Sequence, residues 1–195
     1  MKQHLVIFAR LPRLGMGKRR LAVDVGPLRA LNFQKNTLAR LLRRLGKDPR
    51  WKTWVALTPS IGGFPRLYGV HVILQPRGDL GQRMGRVAKS MSTGPVLIIG
   101  SDIPDIDTKH IQAGFKALRS HDAVLGPAGD GGYWAVGLRR RPHFFTPFDR
   151  VRWSTEYAFE DTVRNLDKRK VARLETLDDV DTAVDLQRRA RRKTR

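Results

Sequence analysis

Short apolar runs alternate with amphipathic stretches along most of the chain. Leu5–Ala9 reads as a buried strand that opens into a loop over residues 10–17. Between Pro27 and Leu45, the residues Leu28, Leu31, Leu38, Leu41, Leu42 and Leu45 recur at helical spacing. Pro27 suits the first helical turn and Gly46 the stop. Trp51–Leu57 alternates as a strand and Val70–Leu74 reads as another, while Leu80, Met84, Val87, Ala88 and Met91 lay one apolar stripe along a helix. Pro95-Val-Leu-Ile-Ile-Gly100 is apolar throughout, as a strand covered on both faces must be. The pattern then predicts a helix carrying Ile111, Phe115 and Leu118, and strands at Ala123–Leu125 and Tyr133–Leu138. A helix capped by Ser154 and bearing Ala158, Phe159, Val163 and Leu166 follows, then a strand near Val171–Leu174 and a terminal helix from about Thr182.

Strand and helix in alternation predict an α/β fold with a mostly parallel central sheet and helices on both faces. The 195 residues form one compact domain over residues 1–187, followed by a basic, flexible tail over residues 188–195. No internal repeat or linker interrupts it. A chain of this size buries about 70% of its extended surface, so a sizeable core is available. The absence of cysteine excludes a disulfide scaffold, a thiolate metal site and a cysteine nucleophile. The five histidines are scattered, with no HxH or HxxxH pair, which argues against a histidine metal site or a Ser-His-Asp triad.

Charge changes the picture more than composition does. Lys plus Arg number 38 against 18 for Asp plus Glu, a net charge of +20 that attracts anions of any kind. No run approaches the roughly 18 apolar residues of a membrane span, and the N-terminus lacks the apolar stretch of a signal peptide. The expectation is a soluble, cytoplasmic domain whose nucleic-acid binding is weak and electrostatic.

In an open α/β sheet, ligands bind beyond the carboxyl ends of the strands. The chemically informative residues fall there. After the first strand, Gly15-Met-Gly17-Lys18-Arg19-Arg20 combines glycines that let a phosphate approach the backbone with cationic countercharge. Its spacing is not that of a Walker A loop; an ordinary basic surface loop is the plainer reading. After the central strand, Gly100-Ser101-Asp102 places a carboxylate where a divalent metal and phosphates meet. Asp107 is the better candidate to cap the next helix. Gly126-Pro-Ala-Gly-Asp130-Gly-Gly132 carries four glycines around one Asp, which fits a close ligand approach or, more simply, a hairpin turn at Asp130-Gly131. Trp153-Ser-Thr-Glu156 opens a helix, where Glu156 acts as a base or simply complements the helix dipole. Asp178-Asp-Val-Asp181-Thr182 reads first as a helix cap and second as a metal contact.

Taken in order, FARLPRLGMGKRRL, QPRGDLGQRM, VLIIGSDIPDI, AVLGPAGDGGYWAVGL, WSTEYAFEDT and LDDVDTAVDL resemble the GT-A-like transferases once grouped as a domain of unknown function. Relatives there are labelled glycosyltransferases linked to radical-SAM gene clusters. The molybdenum-cofactor and phospholactate guanylyltransferases are similar more distantly. The resemblance runs from about residue 4 to residue 187. It implies a single Rossmann-like nucleotide-diphosphosugar transferase domain that uses Mg²⁺ or Mn²⁺. The first loop departs from the family's usual Lys-Thr-Arg-Leu, since Arg19 stands where a hydroxyl is expected.

On the residues and the resemblance together, the expected nucleotide-binding set is Arg10, Gly15, Gly17, Lys18, Arg20, Gln75, Gly78, Asp79, Arg83 and Ser101. Lys18, Asp130 and Glu156 are the expected catalytic residues, and Asp102 and Asp130 the expected metal ligands. The leading functional expectation is a metal-dependent glycosyltransferase that takes a nucleotide-sugar donor and a small-molecule acceptor. A guanylyltransferase-like nucleotidyltransferase, joining NTP to a phosphorylated small molecule, is the alternative. A basic nucleic-acid-binding domain without catalysis is the third; it accounts for the charge but not for the Asp102 and Asp130 motifs.

Overall fold

The computed structural model describes residues 1–65, 67, 69–141 and 143–193, with the side chains of residues 192 and 193 excepted. The elements in chain order are β1 (Gln3–Arg10), α1 (Arg19–Val25), α2 (Pro27–Leu45), β2 (Trp51–Thr58), β3 (Val70–Leu74), α3 (Leu80–Ser90) and β4 (Val96–Gly100). They continue with α4 (Thr108–Ala117), β5 (Ala123–Pro127), β6 (Tyr133–Leu138), α5 (Ala158–Arg164), β7 (Val171–Arg173) and α6 (Ala183–Lys193). The strands form one seven-stranded sheet in the order β3-β2-β1-β4-β6-β5-β7. β1, β2, β3 and β4 run parallel, as do β5 and β7, and only β6 is antiparallel to its neighbours.

Alternation along the strands sorts their side chains into two cores, one on each face. Leu5, Ile7, Leu97 and Ile99 point toward α2 and α4, packing with Leu38, Leu41, Ile111 and Phe115. Val6, Val96, Ile98 and Val136 point the other way, toward Met84, Val87 and Ala88 of α3 and toward Phe148 and Leu166. β4 therefore has no polar face. Val96, Leu97, Ile98 and Ile99 are all at most 2% exposed, and each such side chain contributes about 1.5–3 kcal/mol on burial.

Local signals explain the helix ends. Pro27 sits in the first turn of α2, and the Asp79 carboxylate caps α3 by accepting from the Gln82 N–H at 2.8 Å. Asp107 caps α4 in a reciprocal box, its N–H donating to His110 Nδ1 at 2.8 Å. Two sequence expectations are corrected. Leu28 is 63% exposed and stays outside the core, because α2 turns only its later leucines to the sheet. Ser154 caps no helix: it adopts a left-handed backbone, and α5 begins four residues later, at Ala158. Residues 188–193 continue α6, whose start is held where the Asp185 carboxylate accepts from the Thr182 N–H at 2.8 Å, and residues 194 and 195 of the expected tail lie outside the described residues. Arg189 of that run reaches back to Asp105 (Nη2 to Oδ1, 2.8 Å), which ties the charge run to the domain.

Candidate active site

The strand registers bring the polar loops to one edge of the sheet. Arg10 pairs with Thr58, Phe8 with Gly100 and Leu57 with Leu74, so β1, β2, β3 and β4 end together. β6 runs the other way and starts where β4 ends, with Ile99 opposite Ala135. The loop holding Asp130 therefore opens at the same mouth as Asp102. The segment after β7, which is parallel to β5, emerges there too.

Lys18 lies at the centre of this mouth. It precedes α1 in a left-handed backbone conformation, and its side chain is only 3% exposed. Its ammonium lies 3.2 Å from Asp102 Oδ2 and donates to Asp181 Oδ1 at 2.5 Å. Burial works against the charge, but Asp102 and the hydrogen bond to Asp181 outweigh it and raise the Lys18 pKa. The two carboxylates keep contact with solvent, at 50% and 41% side-chain exposure. Ser101 Oγ donates a long hydrogen bond to Asp102, at 3.4 Å. Asp179 completes the acidic surround. Burial first, then repulsion from Asp181, pushes it up to about 6; Lys18 opposes the rise, while Asp130 and Asp102 add to it.

Asp130 is exposed at the tip of the β5–β6 turn, and its Oδ1 accepts from the Gly132 N–H at 2.9 Å. The turn reading of this motif is therefore met in part. The glycines also serve close packing. A Cβ on Gly131 would lie 2.2 Å from the Glu156 carbonyl oxygen, and one on Gly129 would lie 2.6 Å from Asp178 Oδ1. Glu156 thus sits against the Asp130 turn, exposed, in a turn of its own and not in a helix.

The second group of expected residues surrounds the start of α3. The Gln75 amide donates to the Ala56 and Ala9 carbonyls at 2.8 and 3.2 Å, and its Oε1 accepts from Arg83 Nη1 at 2.9 Å. Both ends of that amide are engaged inside the protein, so Gln75 positions Arg83. Arg83 Nε also donates to the Asp79 carbonyl at 3.2 Å, and Gly78 turns the chain into the helix. Arg10, at the end of β1, and Arg20, in α1, are exposed; between them Gly15 lies in a tight turn and Gly17 rests on the buried amide of Gln34. Lys18 and Asp102 are brought into contact, with Ser101 beside Asp102. Asp130 and Glu156 share the mouth without touching that pair, and the group from Gln75 to Arg83 flanks it.

Asp179 and Asp181 lie outside the expected set of site residues, and a metal contact is only the second reading of their segment. The available signal is LDDVDT following the last strand, which reads first as a cap; Asp185 does that work instead. No group of three or more His, Asp or Glu side chains that could hold a metal occurs among the described residues. The donor set nevertheless fits a hard divalent cation. Mg²⁺-type ions take one or two carboxylates and complete their shell with water and phosphate oxygens, and Asp102 and Asp181 already share a buried cation, the Lys18 ammonium.

The seven-stranded, mostly parallel sheet is that of a nucleotide-diphosphosugar transferase fold, as a similar solved structure shows. A protein from Desulfovibrio desulfuricans G20, provisionally named a nucleotide-diphospho-sugar transferase, is 28% identical to the chain. It superposes with a TM-score of 0.87 over 95% of this chain and 85% of its own. The chain belongs to the family described as an uncharacterized protein conserved in bacteria (DUF2064), which matches residues 41–155. Two more distant structures show the fold alone. CMP:2-keto-3-deoxy-manno-octonic acid synthetase complexed with CTP is 12% identical, with a TM-score of 0.63 over 100% of this chain and 99% of its own. Rv0371c from Mycobacterium tuberculosis H37Rv, in complex with manganese, is 15% identical, with a TM-score of 0.58 over 96% and 97%. No protein of curated function matches. Fold and relative together support a transferase. Among the described residues, no helix is long and apolar enough to cross a membrane.

Proposed function

We propose that the chain is a divalent-metal-dependent glycosyltransferase, moving a sugar from a nucleoside diphosphate to a small-molecule acceptor. The observation that carries this reading is the Lys18 ammonium held between Asp102 and Asp181 at the mouth of the sheet. Interleaved cation and carboxylates are what a diphosphate and its metal require. The resemblance to a nucleotide-diphospho-sugar transferase supports the choice of donor.

In this reading Asp102 and Asp181 hold Mg²⁺ or Mn²⁺, with Asp130 as a further carboxylate at the rim. The ion, when bound, neutralises charge on the departing diphosphate. Lys18, Arg10 and Arg20 supply countercharge to the phosphates, and Gly15 and Gly17 let the backbone come close to them. Gly78, Asp79 and Arg83 form the side of the pocket nearest the base, with Gln75 holding Arg83 in place. Ser101 orients Asp102. Glu156, beside the Asp130 turn, takes the proton of the acceptor hydroxyl. Nucleotidyl transfer is the second reading, favoured by the fold shared with a synthetase that binds CTP.

Product analysis separates the two. The purified protein is incubated with Mn²⁺ and a panel of nucleotide sugars, or with the four nucleoside triphosphates and sugar phosphates. Release of nucleoside diphosphate from a nucleotide sugar, lost in Asp102→Asn, is the expected result. Release of pyrophosphate from a triphosphate would install the second reading. Neither product, together with tight sequence-selective nucleic-acid binding at physiological salt, would return the chain to the non-enzymatic class.

A further inference from the structure

We propose that Lys18 is an internal counter-ion for the cation position between Asp102 and Asp181, and that it yields that position only when donor phosphates offer it a new partner. Divalent metal and diphosphate then bind cooperatively, and each binds weakly alone. The proposal rests on the reading of this mouth as a metal and phosphate site.

Three observations converge on it. The Lys18 side chain is buried, yet its two partners are half-exposed, so the carboxylates are open to a solvated ion while the ammonium is not. Its nitrogen sits 3.2 Å from one carboxylate and 2.5 Å from the other, close enough to both that a divalent ion and the ammonium repel if they share the site. The residue also stands at a backbone junction, after Gly17 and before the first turn of α1, in a left-handed conformation. The ammonium is thus carried by a loop end and not by the middle of a strand or helix.

The physical consequence is linkage. Metal alone must displace Lys18 and strand its charge. Phosphate alone must draw Lys18 away and leave two uncompensated carboxylates. When both arrive, metal replaces ammonium on the carboxylates and phosphate replaces the carboxylates on the ammonium. By thermodynamic reciprocity, each ligand raises the affinity of the other by the same factor.

The test uses the full chain with two probes, Mn²⁺ alone, followed by electron paramagnetic resonance of the free ion, and inorganic tripolyphosphate, followed by calorimetry. Lys18→Met should bind Mn²⁺ alone about tenfold or more tightly than the parent, the scale of one charged hydrogen bond. Lys18→Gln carries the same expectation should the methionine variant fail to fold. In chelator, Asp181→Asn should tighten tripolyphosphate binding by releasing Lys18, and the gain should vanish in Asp181→Asn combined with Lys18→Met. Unchanged or weaker Mn²⁺ binding in both Lys18 variants overturns the proposal, as does a gain that persists in the double variant. If these arms fail while the parent still binds tripolyphosphate with Mn²⁺, the site reading stands and the counter-ion does not. If the parent binds neither probe in any combination, both fall.

Discussion

Individual residues in this chain do several different jobs that look alike in the sequence. Gly131 illustrates one. Its φ is +82° and a Cβ there would meet the Glu156 carbonyl at 2.2 Å, whereas Gly15 has a similar φ of +74° with nothing nearby. Gly131→Ala should therefore cost about 2–4 kcal/mol in chemical denaturation, and Gly15→Ala only about 1 kcal/mol. Comparable losses at both positions would refute the packing account of the Asp130 turn. His4 illustrates another. It is fully buried; Nδ1 accepts from Trp54 Nε1 at 3.2 Å, which leaves Nε2 to donate to Ser92 Oγ at 3.1 Å. Burial, then Arg140, Lys52 and Lys2, hold its pKa below the usual histidine value. The unfolded chain thus takes up the proton first as pH falls, so this stabilisation is complete above the ordinary value near 6.5 and is lost below it. Urea titrations between pH 7.5 and 5 should show that loss in the parent and a shallower dependence in His4→Gln. Asp102 and Lys18 were visible in the sequence because each follows an apolar strand. Asp181 ranked lower, because a carboxylate ahead of a helix has an ordinary explanation as a cap, and only the fold brings it 163 residues back to Lys18.

At the scale of elements, the strands and most helices follow the hydrophobic pattern closely, because each strand alternates between two cores and each long helix has one apolar stripe. α1 escaped the reading: seven residues with only Leu21 buried carry too little periodicity to separate a helix from a loop. The opening of α5 was misread because Ser154 has capping chemistry but a left-handed backbone. What joins the elements at the mouth is equally hidden. Gln75 follows β3 and bridges the β1 and β2 carbonyls of Ala9 and Ala56 to Arg83 of α3, contacts that no local pattern announces. Gln75→Leu removes the donors and strands two carbonyls, so stability should fall by about 2 kcal/mol in urea. Affinity for nucleotide should fall with it, since Arg83 loses its support. A variant as stable as the parent would show that the bridge is incidental. The segment between β7 and α6 makes a complementary prediction. Asp179, pushed up to about 6, is charged at a cost above that pH and relaxed below it, so Asp179→Asn should stabilise the metal-free protein at pH 7.5 more than at pH 5. An equal effect at both pH values would remove Asp179 from the acidic surround.

For the whole molecule, a charge of +20 and the placement of the site address different partners. The carboxylates that give the mouth its chemistry are a small negative island on a basic surface, and the surrounding field draws anionic ligands toward it. Binding to nucleic acid should accordingly be non-specific, falling by about a thousandfold or more between roughly 50 and 200 mM salt if about six phosphates are contacted. Salt-insensitive binding would point to a built nucleic-acid surface. The mouth formed by Lys18, Asp102 and Asp181, on the proposed function, takes a nucleoside diphosphate through a divalent metal. Calorimetric titration of a nucleotide sugar and of nucleoside triphosphates, with Mn²⁺ and with chelator, into the parent and into Asp102→Asn tests it most directly. The expected result is metal-dependent binding in the parent that weakens about 10- to 150-fold in Asp102→Asn with the melting temperature preserved. An Asp102→Asn protein that binds nucleotide and Mn²⁺ as tightly as the parent would contradict it.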